Sequence, residues 1–274
     1  MTFRYNHAMD PLTHWRIKRT LWPPLAGLGG AALMTGALML AGIAARPEAF
    51  SALMRGGLLA ATVLALVGPA LTTLTTAVGT ADALDDERLL LLRTTRLPEA
   101  ALIRGLAVQG LLRSRAVIVL ATGTAPALIL GWAQWLAIRG RADWCGVLSQ
   151  ACMAISGPLD PARIAGLALL ALSGPVVVAG LHAAAAAQGV RFAIMWRMGV
   201  LAAAAALLKT AVSLLPGLVL LAVVLRAALD MVLFAGGGLL PGITVMLGML
   251  AAAIPLLVAR TVLLGAESKG LPKP

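Results

Sequence analysis

Ile164-Ala165-Gly166-Leu167-Ala168-Leu169-Leu170-Ala171-Leu172-Ser173-Gly174-Pro175-Val176-Val177-Val178-Ala179-Gly180-Leu181-His182-Ala183-Ala184-Ala185-Ala186-Ala187 contains no Asp, Glu, Lys or Arg. Crossing the hydrocarbon of a bilayer takes about 20 apolar residues, and this run is long enough. Five further stretches reach that length: Pro24–Ala45, Gly57–Thr80, Ala116–Ile138, Met198–Leu225 and Leu239–Leu264. The fifth in chain order, Met198–Leu225, is interrupted by Lys209 and Pro216, which predicts a tilted or kinked helix. The composition of the full 274 residues agrees: 60% is hydrophobic, 12% is charged and the mean hydropathy is +0.94. That much apolar surface does not fit inside one water-soluble core, which excludes a soluble enzyme, a secreted disulfide scaffold and a disordered chain. Aromatics make up only 4% while Ala, Leu and Gly abound, the composition of packed membrane helices rather than of a barrel with aromatic girdles. The expected fold is an all-α, polytopic membrane protein with six transmembrane helices.

Sidedness follows from the basic residues between the spans. Arg4, Arg16, Lys18, Arg19, Arg88, Arg93, Arg96, Arg104, Arg113, Arg115, Arg191, Arg197, Lys269 and Lys273 fall on one side; Arg46, Arg55, Arg139, Arg141, Arg163 and Arg226 fall on the other. The richer side is the cytoplasmic one, so both termini are expected there. The net charge of +11 then belongs to loops and anionic headgroups, and no nucleic-acid partner is expected. The first twenty residues are polar and no cleavable signal is expected. The organisation is thus an N-terminal interfacial segment (residues 1–23), a transmembrane domain (24–265) and a short tail (266–274).

Three polar regions interrupt the apolar text. Asp10-Pro11 opens a segment running to Arg19, with Trp15 and Trp22 seven apart on one helical face. It reads either as a helix lying on the membrane surface or as a basic flank that only sets topology. Residues 82–115 read as a cytoplasmic helix pair. Asp82 could cap a helix with Asp85, Asp86 and Glu87 in its first turn and Arg93 and Arg96 in its last, the order favoured by the helix dipole. Leu97-Pro98 ends that helix, and Pro98-Glu99 opens another with Leu102, Ile103 and Leu106 at helical spacing, running into the third span. Residues 226–242 hold an apolar segment too short to cross, then Gly236-Gly237-Gly238 and Pro241, which predicts a re-entrant or interfacial half-helix.

With this layout the chain resembles the membrane (permease) subunit of type-2 ATP-binding-cassette transporters. The local likeness lies in Asp85-Asp86-Glu87-Arg88-Leu89-Leu90-Leu91-Leu92-Arg93-Thr94-Thr95-Arg96-Leu97-Pro98 and continues to Leu102-Ile103-Arg104-Gly105. The Gly-Thr that usually follows the acidic turn is replaced by Arg88-Leu89. The resemblance implies a coupling helix between spans two and three, with Asp85, Asp86, Glu87, Arg88, Arg93, Arg96, Pro98 and Arg104 meeting a partner. It also implies a separate nucleotide-binding ATPase subunit carrying ATP and Mg, a second permease copy or relative, export as the direction, and a bacterial-type cytoplasmic (inner) membrane. No G-x-x-x-x-G-K-[ST] occurs, so a phosphate cradle is not expected in this chain, nor a cofactor.

Within the spans, Lys209 is either a contact for an anionic substrate or lipid headgroup, or a snorkelling or hydrogen-bonding residue. His182 reads as an interhelical hydrogen bonder or, less readily, a ligand. Thr72, Thr73, Thr75 and Thr76 bond to backbone or to a neighbouring helix, with Thr72 and Thr76 the candidates for substrate contact. Cys145 and Cys152, in the loop 139–163, could pair as a disulfide, and two cysteines do not make a metal site. Small residues at Ala32/Gly36 and Gly238/Gly242 permit close helix association. A scaffold subunit of a respiratory or photosynthetic membrane complex is the alternative, favoured by the sparse polar lining. An intramembrane enzyme is third, lacking a clustered catalytic constellation.

Overall fold

The computed structural model describes residues 51–85, 98–144, 161–196, 199–234 and 239–270. They form seven helices: α1 (Ser51–Asp85), α2 (Glu99–Arg113), α3 (Arg115–Trp144), α4 (Pro161–Trp196), α5 (Gly199–Phe234), α6 (Leu239–Ala251) and α7 (Ile254–Glu267). No strand occurs among the described residues. The N-terminal segment with the first expected span, the charged leucine-rich run 86–97 and the Cys145–Cys152 pair lie outside them.

Among the described residues, three stretches are long and apolar enough to cross a membrane: Ala61–Leu84, Ile164–Trp196 and Val245–Glu267. A fourth is present if α2 and the first part of α3, bent by 71° relative to each other, form one broken span. The outer surface suits lipid, since Leu59, Leu208 and Leu250 are about 70% exposed (71%, 70% and 68%). In water such a continuous apolar exterior would aggregate. This is a helical membrane protein.

Helix α4 is the axis of the bundle, touching every other described helix. Residues 184–190 are all buried, and at about 100° per residue seven in a row cover the whole circumference. Small side chains make this enclosure possible. A Cβ on Gly174 would lie 2.6 Å from the Ala125 carbonyl oxygen of α3, and one on Gly189 would lie 2.9 Å from that of Thr73 on α1. On the α7 side, a Cβ on Gly180 would meet Pro255 at 2.9 Å and the Leu256 nitrogen at 3.0 Å. Close backbone approach of this kind substitutes for a hydrophobic driving force that lipid does not supply.

Several expected boundaries move. Asp82 lies inside the last turn of α1 and does not start a new helix, because nothing between Thr80 and Asp85 breaks the ladder. The helix expected after Leu97 does open at Pro98, whose φ of −65° and ψ of 138° are extended. It does not run straight into the third span, however: it stops at Ser114 and the chain turns through the 71° bend into α3. Helix α5 continues unbroken to Phe234, so residues 226–234 are not a separate re-entrant half-helix. Ala227-Ala228-Leu229 are good helix formers and Ala228, Leu229 and Val232 are buried against α4 neighbours Leu167 and Leu170, which favours simple continuation. The sixth expected span is broken at Ala252–Ala253 into α6 and α7. Pro255 removes an amide there, and Ala253 reaches back to Leu250 in a tightened turn.

Candidate functional site

Helix α2 is short, and its apolar stripe has found cover. Leu102, Ile103, Leu106 and Ala107 pack against Val190 and Ile194 of α4 and Ala266 of α7, with Ala83, Leu84 and Leu263 at the margin. The Pro98 carbonyl accepts the first amides of the helix, from Ala101 at 2.9 Å and Leu102 at 3.4 Å. At the other end Ser114 Oγ is 2.8 Å from Thr75 Oγ1 on α1. Arg113 lies across Gly79, where a side chain would displace it.

The polar edge of α2 is tied to the end of α7. Arg104 donates through Nε to Glu267 Oε1 at 2.6 Å and through Nη2 to Oε2 at 3.0 Å, a two-pronged pair that fixes orientation as well as distance. Just beyond, Gly270 takes φ +69°, turning the chain back so that its Cα faces Glu99 Oε2. A Cβ there would meet that oxygen at 2.8 Å, so glycine serves both the turn and the approach. Lys269 Nζ points to Met195 Sδ at 3.3 Å. The ends of α1, α4 and α7 and the whole of α2 therefore form one layer at one end of the bundle.

Of the residues expected to meet a partner, Arg104 is engaged within the chain, Pro98 is exposed as the N-cap of α2, and Asp85 is the last residue of α1. Asp86, Glu87, Arg88, Arg93 and Arg96 lie outside the described residues, between the two helix ends. Glu267, the last acidic residue of the chain, is the member the sequence did not single out. An acid 163 positions from its partner carries no local signal.

A second polar arrangement sits inside the bundle. His182 Nδ1 is 2.7 Å from Thr72 Oγ1, and the same hydroxyl donates to the Gly68 carbonyl at 3.1 Å. His182 Nε2 and Thr76 Oγ1 are buried without a hydrogen-bond partner. Gly68 packs on the imidazole edge, its would-be Cβ 3.0 Å from Nε2. Two of the candidate polar residues, His182 and Thr72, are thus joined, as an interhelical bond between α1 and α4. Thr73 bonds instead to the Pro69 carbonyl at 3.0 Å. Lys209 is not part of this group: it stands exposed on α5 beside Leu208. Among the described residues no three His, Cys, Asp or Glu come together as a metal site.

The bundle also contains a cavity of about 440 Å³ between α1, α3, α4 and α5, lined by Leu66, Pro69, Ile129, Val178, Leu181, Leu207 and Leu215 among others. Its polar lining is limited to Thr62, Thr210 and Arg226. The Thr210 hydroxyl donates to the Ala206 carbonyl at 2.6 Å. Neither His182 nor Thr72 lines it. No protein family model matches the chain, and no curated protein or solved structure is found similar to it.

Proposed function

We propose that this chain is a permease subunit of an ATP-binding-cassette transporter of the type-2 kind, an exporter in a bacterial-type inner membrane, with six spans and both termini in the cytoplasm. A separate ATPase subunit holds ATP and Mg, and a second permease copy or relative completes the pathway. The observation that carries this reading is the docking of α2. The charged run 86–97 is strung between the ends of α1 and α2, and α2 is fastened to α4 by its apolar stripe and to α7 by Arg104–Glu267. Force applied to that run by a moving partner would reach three membrane helices through rigid contacts. In this reading α2 lies at the cytoplasmic surface, where the hydrogen bond to Glu267 raises the Arg104 pKa and favours the charged guanidinium.

The test is a mild-detergent purification of the full chain with identification of every co-purifying protein. A stoichiometric partner bearing a P-loop, lost when Asp85–Arg96 is deleted, is the expected result. Recovery with cofactor-bearing membrane subunits and no ATPase would overturn it. That outcome belongs to the second reading, a scaffold subunit of a respiratory or photosynthetic complex, which is favoured by the placement of His182, Thr72 and Gln188 between helices rather than along the cavity.

A further inference from the structure

Helices α4 and α7 run side by side in the same direction, and the seam between them ends in two bases. Gly180 faces Pro255 and Leu256, Arg191 Nη1 lies 3.9 Å from where a Cβ on Gly265 would stand, and Lys269 Nζ lies 3.3 Å from Met195 Sδ. Met195 is one helical turn beyond Arg191, so the two basic contacts sit about 6 Å apart along the seam. Neither base bonds to a carboxylate among the described residues. Both oxygens of Glu267, the acid nearest to Lys269 in the sequence, are held by Arg104. Glu99, which faces Gly270, is itself engaged. Arg191 Nε is buried with no hydrogen-bond partner, and the sulfur that meets Lys269 Nζ is a weak acceptor that neutralises nothing. The seam is open sideways at this level, where Met195, Trp196, Ser268 and Lys269 are exposed. Leu257 and Leu264, seven apart on one face of α7, are exposed too and lead up to it. An apolar row that ends in bases beside an indole has the order of a bilayer edge, hydrocarbon first and headgroups after.

We propose that the end of the α4–α7 seam binds an anionic membrane phospholipid, its phosphate bridged between Arg191 and Lys269 and its acyl chains on Leu257 and Leu264. The planar guanidinium offers paired donors that suit phosphate oxygens, and the ammonium adds a point charge one turn away. A zwitterionic lipid brings its own cation to a site that already holds two, so a net-anionic headgroup is preferred. The apolar row below the bases selects a lipid over a free phosphate. The site needs only the membrane reading of the bundle and does not depend on an ATPase partner.

In the experiment the full chain, purified in mild detergent, is titrated with phosphatidylglycerol or phosphatidylcholine, and bound lipids are counted by native mass spectrometry. The first phosphatidylglycerol is expected to bind more tightly than phosphatidylcholine. Arg191→Gln and Lys269→Gln should each weaken it about fivefold, the effect of one base at an anionic surface, and leave phosphatidylcholine unchanged. Arg191→Lys should keep most of the preference. Lys209→Gln removes an exposed base from α5 and should change nothing, which separates the site from the general positive charge of the chain. Met195→Glu tests the same seam by addition. A carboxylate one turn from Arg191 and beside Lys269 should displace phosphatidylglycerol while the chain stays monodisperse. An unchanged preference in both Gln variants and in Met195→Glu, or an equal loss in Lys209→Gln, would overturn the proposal. Displacement of the lipid by millimolar inorganic phosphate would do so as well, making the occupant a soluble anion. So would disulfide trapping of Lys269→Cys by Glu87→Cys in a chain carrying Cys145→Ser and Cys152→Ser, which would make the chain's own acidic run the occupant. Absence of an ATPase partner with the lipid preference intact would sink the transporter reading and leave this site standing.

Discussion

Helix α1 meets α4 and α5 in opposite ways. Against α4 the backbones touch: Gly189 leaves no room for a Cβ beside Thr73, and Gly68 packs against the edge of the His182 ring. Toward α5, along Thr62 to Ala70, the facing residues are Leu207, Thr210, Ala211 and Leu215, and a groove opens there between two helices that pack together elsewhere along their lengths. Glycine and alanine close one seam, and leucine beside an opening keeps the other apart. Membrane helices have no water to expel from between them, so tight seams depend on shape and loose seams are filled by lipid at little cost.

The sharpest way to break this contrast is to add volume to the tight seam. Gly189→Leu should prevent folding of the bundle, since the collision is with backbone and overpacking of even flexible sites costs roughly 1–3 kcal/mol. Gel filtration in detergent should then show an aggregated chain, and a monodisperse peak at the wild-type melting temperature would contradict the packing described. Next in size is His182→Ala, which removes the α1–α4 hydrogen bond and leaves a small void. A loss of about 1–2 kcal/mol is expected, read as a lowered thermal midpoint, because interhelical bonds in membranes are worth about that or less. Arg104→Ala should be milder still for stability, at most about 1 kcal/mol, because Arg104 is 54% exposed and exposed pairs contribute little. If the proposed transporter reading holds, its effect should appear in coupling, as uncoupled ATPase activity in the purified complex, with Glu267→Ala giving the same phenotype and the double variant no more. Smallest of all, Leu66→Ala on the open seam should change the thermal midpoint by an amount equivalent to no more than about 0.5 kcal/mol, as for other exposed sites.

Much of this contrast was legible in the sequence as material but not as arrangement. The apolar runs Gly57–Thr80 and Ile164–Ala187 announced α1 and α4, and Leu102, Ile103 and Leu106 announced the buried face of α2. Hydropathy stops where the lipid stops, however, whereas a helix does not. Helix α4 runs on through Gln188 and Arg191 to Trp196, and α1 through Asp82, because polar residues with adequate propensity prolong a ladder already begun. Prolines did not mark the ends. Pro69, Pro126, Pro175 and Pro216 all lie inside continuous helices, whereas Pro255 follows the break between α6 and α7. Nothing local distinguishes them, since neighbouring helices decide whether a lost amide is tolerated. At the site, His182 and Thr72 were both visible as polar residues in apolar text, but their pairing depends on which faces of α1 and α4 meet. The groove was invisible for the same reason: a cavity is a property of four helices together.

The break before Pro255 divides the last apolar stretch into two units of amide protection. Hydrogen bonds run from Ala252 to Gly248 on one side and from Leu257 to Ala253 on the other, and no amide at position 255 joins them. In deuterium exchange, α7 should therefore open and close with α2, to which Glu267 binds it, rather than with α6, its neighbour in the chain. Kinetically the C-terminal helix belongs to the layer that carries α2, and α6 belongs to the wall.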